Sequence, residues 1–242
     1  MFGYDVVRDG VRVAFTDRFG GVSKPPYGEL NLGSASGPDA DGVTANFGLI
    51  ASEFGVPPER VVRVSQVHGR DVHVVRPEDD LPLQPMPKAD GLVTTRTDVV
   101  LAVRAADCLP VLLFGDGVIG AAHSGRKGLY VGVVPATVDA MQKLGASRIT
   151  AVLGPYACGN CYEVPEEMRA EVAERVPAAY SETSWGTPAL DVAAGVKAQL
   201  TELGVEVVDA TACTIESESL YSYRREGPVS GRLAGLVKLA AQ

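Results

Sequence analysis

Short apolar runs of four to six residues recur along the chain, separated by Gly, Pro, Asp and Asn. Such runs predict strands at 11–16, 61–65, 71–75, 91–95, 99–104, 110–114, 118–122, 149–153, 205–208 and 234–239. Four intervening stretches carry helical spacing instead. In 191–203, Asp191 can cap the first turn, Val192, Val196, Leu200 and Leu203 share a face, and Gly204 ends the helix. The segment 135–144 opens on Pro135 and stops at Gly145, and 165–175 opens on Pro165. In 41–54, Val43, Phe47, Ile50 and Phe54 fall on one side. Runs such as VVLAV and PVLLF are apolar on both faces and need cover on both, which predicts a layered α/β architecture with mixed sheets. The Gly/Pro/Ser-rich segment 20–38 is expected to cover a site or a sheet edge, and 76–88 to run over the surface.

Composition narrows the class. The 242 residues contain no low-complexity linker, so a single domain spanning 1–242 is expected. With 22 Lys+Arg against 30 Asp+Glu the net charge is −8, which argues against a general nucleic-acid or anionic-membrane surface while leaving room for a local basic pocket. The start MFGYDVVRDG lacks a basic segment followed by an apolar core, and no apolar stretch is long enough to span a bilayer. A cytoplasmic protein with reduced cysteines is the expectation.

The candidate chemistry lies in His68, Cys108 and His123, each placed where an apolar run ends: VVRVSQV before His68, VVLAVRAAD before Cys108, GVIGAA before His123. Imidazole and thiolate suit Zn(II), and three protein ligands leave a fourth position open, as in catalytic sites. Spacing alone favours a plainer alternative, in which each His satisfies a local hydrogen bond and Cys108 is a small buried hydrophobe, since no short ligand motif such as HExxH is present.

Resemblance tilts the balance. The strings QVHGRDV, ADGLVTT, LAVRAADCLPVLL, AAHSGRKGL, GPYACGNCYEV and SYRREGPVSGRLAGLV resemble, in order, the segments of the YfiH family. That family has been called multicopper polyphenol oxidase or laccase-domain protein and is also described as purine nucleoside phosphorylases. The resemblance implies a four-layer α-β-β-α sandwich with mixed sheets. It implies that His68, Cys108 and His123 are both zinc ligands and catalytic residues. It also implies phosphorolysis of adenosine, inosine and related nucleosides including methylthioadenosine, with an adenosine deaminase side activity, so that purine nucleoside and phosphate are the expected partners. One departure is visible: the family's HAGWRG-like string reads HSGRKG here, so Arg126 replaces the Trp and Lys127 the Arg, which keeps the charge but loses the planar fork.

Among the cations near this set, Arg18 in RFGG is the expected substrate contact, with Asn31 in LNLG beside it and Lys127 as an anion contact; Arg126, Arg224, Arg225 and Arg232 complete a basic group. Asp107 is expected to orient a ligand, take a proton or cap its turn. The Cys158/Cys161 pair is a lone CxxC and a weak metal signal, Cys213 is expected to pack, and His73, inside the alternating run DVHVV, is expected to face solvent.

Three histidines are too few for a multicopper oxidase, which needs roughly ten imidazoles besides a cysteine. Copper(II) can still occupy a His/Cys/His site in place of zinc. Two rivals stay open: a thiol hydrolase or amidase of peptidoglycan precursor editing, with Cys108 as nucleophile and His123 as base, and a zinc-stabilised interaction module.

Overall fold

A computed structural model describes residues 1–34 and 36–240. The hairpin β1 (Phe2–Arg8) and β2 (Val11–Thr16) is followed by α1 (Ala40–Glu53), β3 (Val61–Val62), β4 (Val72–Val75), β5 (Gly91–Thr94) and β6 (Val100–Ala105). The middle of the chain forms β7 (Leu109–Gly115), β8 (Val118–Ser124), α2 (Arg126–Val131), α3 (Val133–Lys143), β9 (Thr150–Leu153) and α4 (Glu166–Arg175). The remainder forms β10 (Tyr180–Glu182), β11 (Pro188–Leu190), α5 (Val192–Glu202), β12 (Glu206–Asp209), α6 (Tyr223–Glu226) and β13 (Leu233–Leu239).

One sheet has the order β1-β2-β13-β6-β3 and the other β12-β9-β7-β8-β5-β4. Both are mixed: β3 runs parallel to β6 in the first, and β4 to β5 and β12 to β9 in the second. Three apolar clusters stack the layers. Val43, Phe47 and Ile50 of α1 pack with Ala14, Ala102 and Leu236 on the outer face of the five-stranded sheet. Phe15, Leu101 and Val237 meet Leu112, Ile119 and Val152 between the sheets. Val111, Leu113 and Ala122 meet Val138, Met141 and Val196 of α3 and α5 on the far side. The result is the four-layer α-β-β-α sandwich. Its central strands are buried on both faces, which is why they read as unbroken apolar runs.

Connectivity places the candidate chemistry. β6 belongs to one sheet and β7 to the other. Only Ala106, Asp107 and Cys108 separate them, so Cys108 sits where the chain steps across the inter-sheet layer.

Several elements depart from the expected pattern. β3 is ladder-paired only over Val61–Val62, after which the chain leaves the sheet and Ser65 forms an isolated parallel bridge to Lys88, in the segment before β5. β1 escapes the apolar-run reading because it is an edge strand with only alternate positions half-buried. The helix expected from Pro135 begins at Val133, with Pro135 in the first turn, where a missing N–H costs nothing. His73 is half-buried rather than solvent-facing. Its neighbours Val72 and Val74 pack toward the helices, so His73 points to the inter-sheet side, where Leu81 and Leu83 close over the edge. There its Nε2 is buried with no hydrogen-bond partner among the described residues, and burial lowers its pKa.

Candidate active site

His68 lies in the loop between β3 and β4, Cys108 in the β6–β7 crossing, and His123 within β8, opposite Pro110. His123 is thus a strand residue, not a loop residue as its sequence context suggests. The three donor atoms lie within 4.8 Å of one another. Cys108 Sγ is 3.8 Å from His68 Nε2, and the two imidazole rings stand edge to face with centroids 4.9 Å apart. Two nitrogens and a sulfur converging at this spacing fit a zinc-type ion with one position left for water or substrate.

One carboxylate organises the set. Asp90, fully buried at the start of β5, places Oδ1 2.9 Å from His123 Nδ1, while Oδ2 accepts the backbone N–H of Val67 at 3.0 Å and of Gly69 at 2.7 Å. The two amides flank His68, which takes φ +60°, a left-handed conformation that His tolerates better than β-branched residues do. Asp90 therefore bends the loop that presents His68 and fixes the ring of His123. With Nδ1–H committed to Asp90, Nε2 of His123 is the free donor atom. Burial raises the Asp90 pKa, but the His123 hydrogen bond and the two amides outweigh it and leave it lowered.

Burial alone raises the Cys108 thiol, yet the charge and hydrogen bonding of His123, then His68, bring it down to about 6. Burial alone lowers His123, yet Cys108 and Asp90 carry it up to about 9. The two shifts share a cause, the mutual stabilisation of thiolate and imidazolium, to which His68 adds for Cys108 and Asp90 for His123. Gly125 is required beside them, because a Cβ there would stand 2.6 Å from Cys108 Sγ.

The three donors open onto a cavity of about 570 Å³. Its walls carry Arg104, Arg224 and Arg232, and among the described residues none of these makes an ion pair with a carboxylate. Burial, reinforced by the charges of Arg63 and Arg232, pulls Arg104 down to about 10. Tyr27, Tyr162 and Tyr223 supply aromatic surface, and Arg224 lies over the Tyr162 ring at 4.9 Å. The segment expected to cover a site does border this cavity, through Tyr27, Asn31, Gly33 and Ser34.

Placement of the other sequence candidates is uneven. Asn31 lines the cavity; its Oδ1 accepts from Gly33 N–H and Arg232 N–H, and its Nδ2 donates to Asp39. Arg18 does not reach the cavity. It pairs with Glu226 at 2.6 Å and stacks on Tyr221, so it braces the wall from behind. Lys127 also fails to line the cavity: it is exposed on α2, whose first turn projects it to solvent. Asp107, at φ +82°, accepts from Thr214 Oγ1 and from Arg224 N–H, tying the β6–β7 crossing to the segment that carries Arg224. Arg225 wraps the carbonyls of Thr214, Ile215 and Ser217. The sequence reading missed the roles of Asp90, Arg104 and Tyr162, although all three sit in strings it singled out.

Comparison with known proteins matches this arrangement to a family. Residues 12–240 match the family described as multi-copper polyphenol oxidoreductase laccase. A purine nucleoside phosphorylase of Streptomyces coelicolor is 56% identical over 99% of this chain and 100% of its own length. The YfiH structure of Bacillus licheniformis superposes with a TM-score of 0.86 at 27% identity, covering 95% of this chain and 92% of that one. YlmD of Geobacillus stearothermophilus superposes with 0.85 at 29% identity, covering 96% and 93%. The chain belongs to the laccase-type, YfiH-like family of multi-copper polyphenol oxidoreductases. Its candidate metal-binding group is His68, Cys108 and His123. The several copper centres in the family's description do not fit this chain, which has three histidines in all, with His73 outside the cluster.

Proposed function

We propose that this chain is a purine nucleoside phosphorylase acting on adenosine, inosine and related nucleosides, methylthioadenosine included, with adenosine deamination as a companion activity and zinc at His68, Cys108 and His123. The observation that carries the reading is the meeting, in one cavity, of a metal-type donor set and three arginines that make no ion pair with a carboxylate among the described residues. A 56% identical relative named for the same activity supports it.

In phosphorolysis a phosphate oxygen forms a bond to the ribose C1′ as the C1′–N9 bond breaks, and the base leaves with a proton. Phosphate needs dense positive charge and directional donors; Arg104, Arg224 and Arg232 offer both, and a bound anion would offset the burial, and the neighbouring charges of Arg63 and Arg232, that lower Arg104. Asn31 and Asp107 hold the backbone of Arg232 and Arg224 in place. Tyr162 and Tyr223 give a purine apolar ring surface. His68, Cys108 and His123 would hold a zinc ion, which would supply Lewis acidity and the water-activating capacity that deamination needs. Asp90 keeps His123 in the tautomer such a site requires.

The test is chromatography of zinc-loaded protein with adenosine, inosine or methylthioadenosine, with and without phosphate. Base and the pentose 1-phosphate should appear in equal amounts only with phosphate, and inosine should form from adenosine without it. No base from any nucleoside in the presence of phosphate would overturn the reading.

One observation favours a second reading. Asp90, His123 and Cys108 stand in the order orienter, base and nucleophile used by thiol hydrolases, and the Cys108 thiol is held low at about 6. Metal-free protein hydrolysing an amide substrate would select that reading.

A further inference from the structure

Cys158, Cys161 and Cys213 come together on the far side of the Asp107 crossing, with Glu216 beside them. The four donor atoms lie within 4.8 Å of one another, and all three thiols are free. The cysteines come from two segments about fifty residues apart, so their convergence is tertiary. We propose that they form a second, structural metal site for a zinc-type divalent cation, with three thiolates and the Glu216 carboxylate as its ligands.

The local backbone is shaped for that. Cys158–Cys161 is a tight turn: the N–H groups of Cys161 and Tyr162 both donate to the Cys158 carbonyl at 2.9 Å. Cys213 is brought alongside by a parallel bridge to Tyr156, with Tyr156 N–H to Ala212 O at 3.0 Å and Thr214 N–H to Tyr156 O at 2.9 Å. Ser217 N–H to Cys213 O at 3.1 Å then turns the chain so that Glu216 faces the thiols. Tetrahedral ligands at about 2.3 Å from zinc lie roughly 3.8 Å apart. The observed spacing closes to that with small side-chain rotations.

Four protein donors leave no open position, so this site holds structure and does no chemistry. What it would hold is the cavity wall. The turn carries Tyr162, which lines the cavity, and the Cys213 segment continues through Thr214, bonded to Asp107, toward Arg224. A metal here staples these two walls together. The sequence hid the site because Cys213 lies far from the CxxC pair.

Metal content measured on the whole chain, purified without chelator, tests this independently of the catalytic reading. Two equivalents of zinc are expected in the unaltered protein, and one in the His68→Ala/His123→Ala variant. Co(II) in that variant should give intense sulfur-to-cobalt charge-transfer bands and tetrahedral d–d bands. Cys213→Ser should lose this equivalent, and Glu216→Gln should bind it more weakly. No metal and no thiolate–Co(II) bands in the double-His variant, or a Cys158–Cys161 disulfide in the freshly purified chain, would overturn the proposal. If instead only the His68/Cys108/His123 assignment is wrong, the unaltered protein and the double-His variant will each hold one equivalent.

Discussion

Asp90 Oδ1 lies 2.9 Å from His123 Nδ1, with the carboxylate fully buried and the imidazole nearly so. The other oxygen of the same carboxylate takes the two amides around His68. One side chain thus sets two candidate ligands that are 55 positions apart in the chain, an arrangement no reading of local pattern could supply.

Asp90→Asn removes the charge and keeps the shape. It should weaken zinc binding by about 10- to 100-fold, the usual cost of losing a carboxylate behind a ligating histidine. Competition against a chromophoric chelator measures this directly. Unchanged affinity would mean that His123 is not a ligand.

The arginines and the lysine should separate cleanly. Loss of one charge-assisted hydrogen bond is worth about 1.5–3 kcal/mol, so Arg232→Ala should raise the KM for phosphate by about 10- to 100-fold. Lys127→Ala should change it by less than about twofold, because an exposed charge outside the cavity adds little. Steady-state kinetics at varied phosphate decides, and a large Lys127 effect would place the anion site elsewhere.

Cys108 has opposite fates in the two functional readings. A metal-bound thiolate resists alkylation, while a free thiolate beside His123 reacts quickly. Zinc-loaded protein should keep Cys108 unmodified by iodoacetamide until a chelator is added, and Cys108→Ala should lose zinc and phosphorolysis together. Alkylation of Cys108 in fully loaded protein, followed by mass spectrometry, would favour the thiol hydrolase.

Acid stability should report on Asp209. Burial raises this carboxyl, but Lys197 Nζ at 2.6 Å and the Thr211 hydroxyl and amide outweigh it and hold it at about 2. A folded-state value below the unfolded 3.8 stabilises the fold above pH 3.8, and that contribution is lost as pH falls through about 2. Asp209→Asn should therefore be less stable than the unaltered protein at pH 7 and equal to it below pH 2 in urea titrations. A constant difference across that range would contradict the assignment.

Apolar runs and helix stops by themselves located most of the strands and helices and a layered α/β class, while the four-layer stacking was legible only through the family resemblance. Buried strands must be apolar on both faces, and Gly145 and Gly204 end their helices at φ +103° and +69° because no side chain favours that conformation. The His68, Cys108 and His123 candidates were legible too, since each follows a strand-like run and matches an ordered family of strings. Edge strand β1 and the short α2 were not, because half-exposed or Gly-containing segments bury too little surface to leave a period. Only the tertiary structure decided which charges face the cavity. Arg18 and Lys127 read as substrate contacts in one dimension, yet one is spent on Glu226 and the other on solvent. Arg104 lies in an expected strand and Asp90 just before one, but folding turns Arg104 into the cavity wall and buries Asp90 against His123. A charge acquires its role from the groups folding brings within a few ångströms of it, and the order of residues along the chain does not contain those distances.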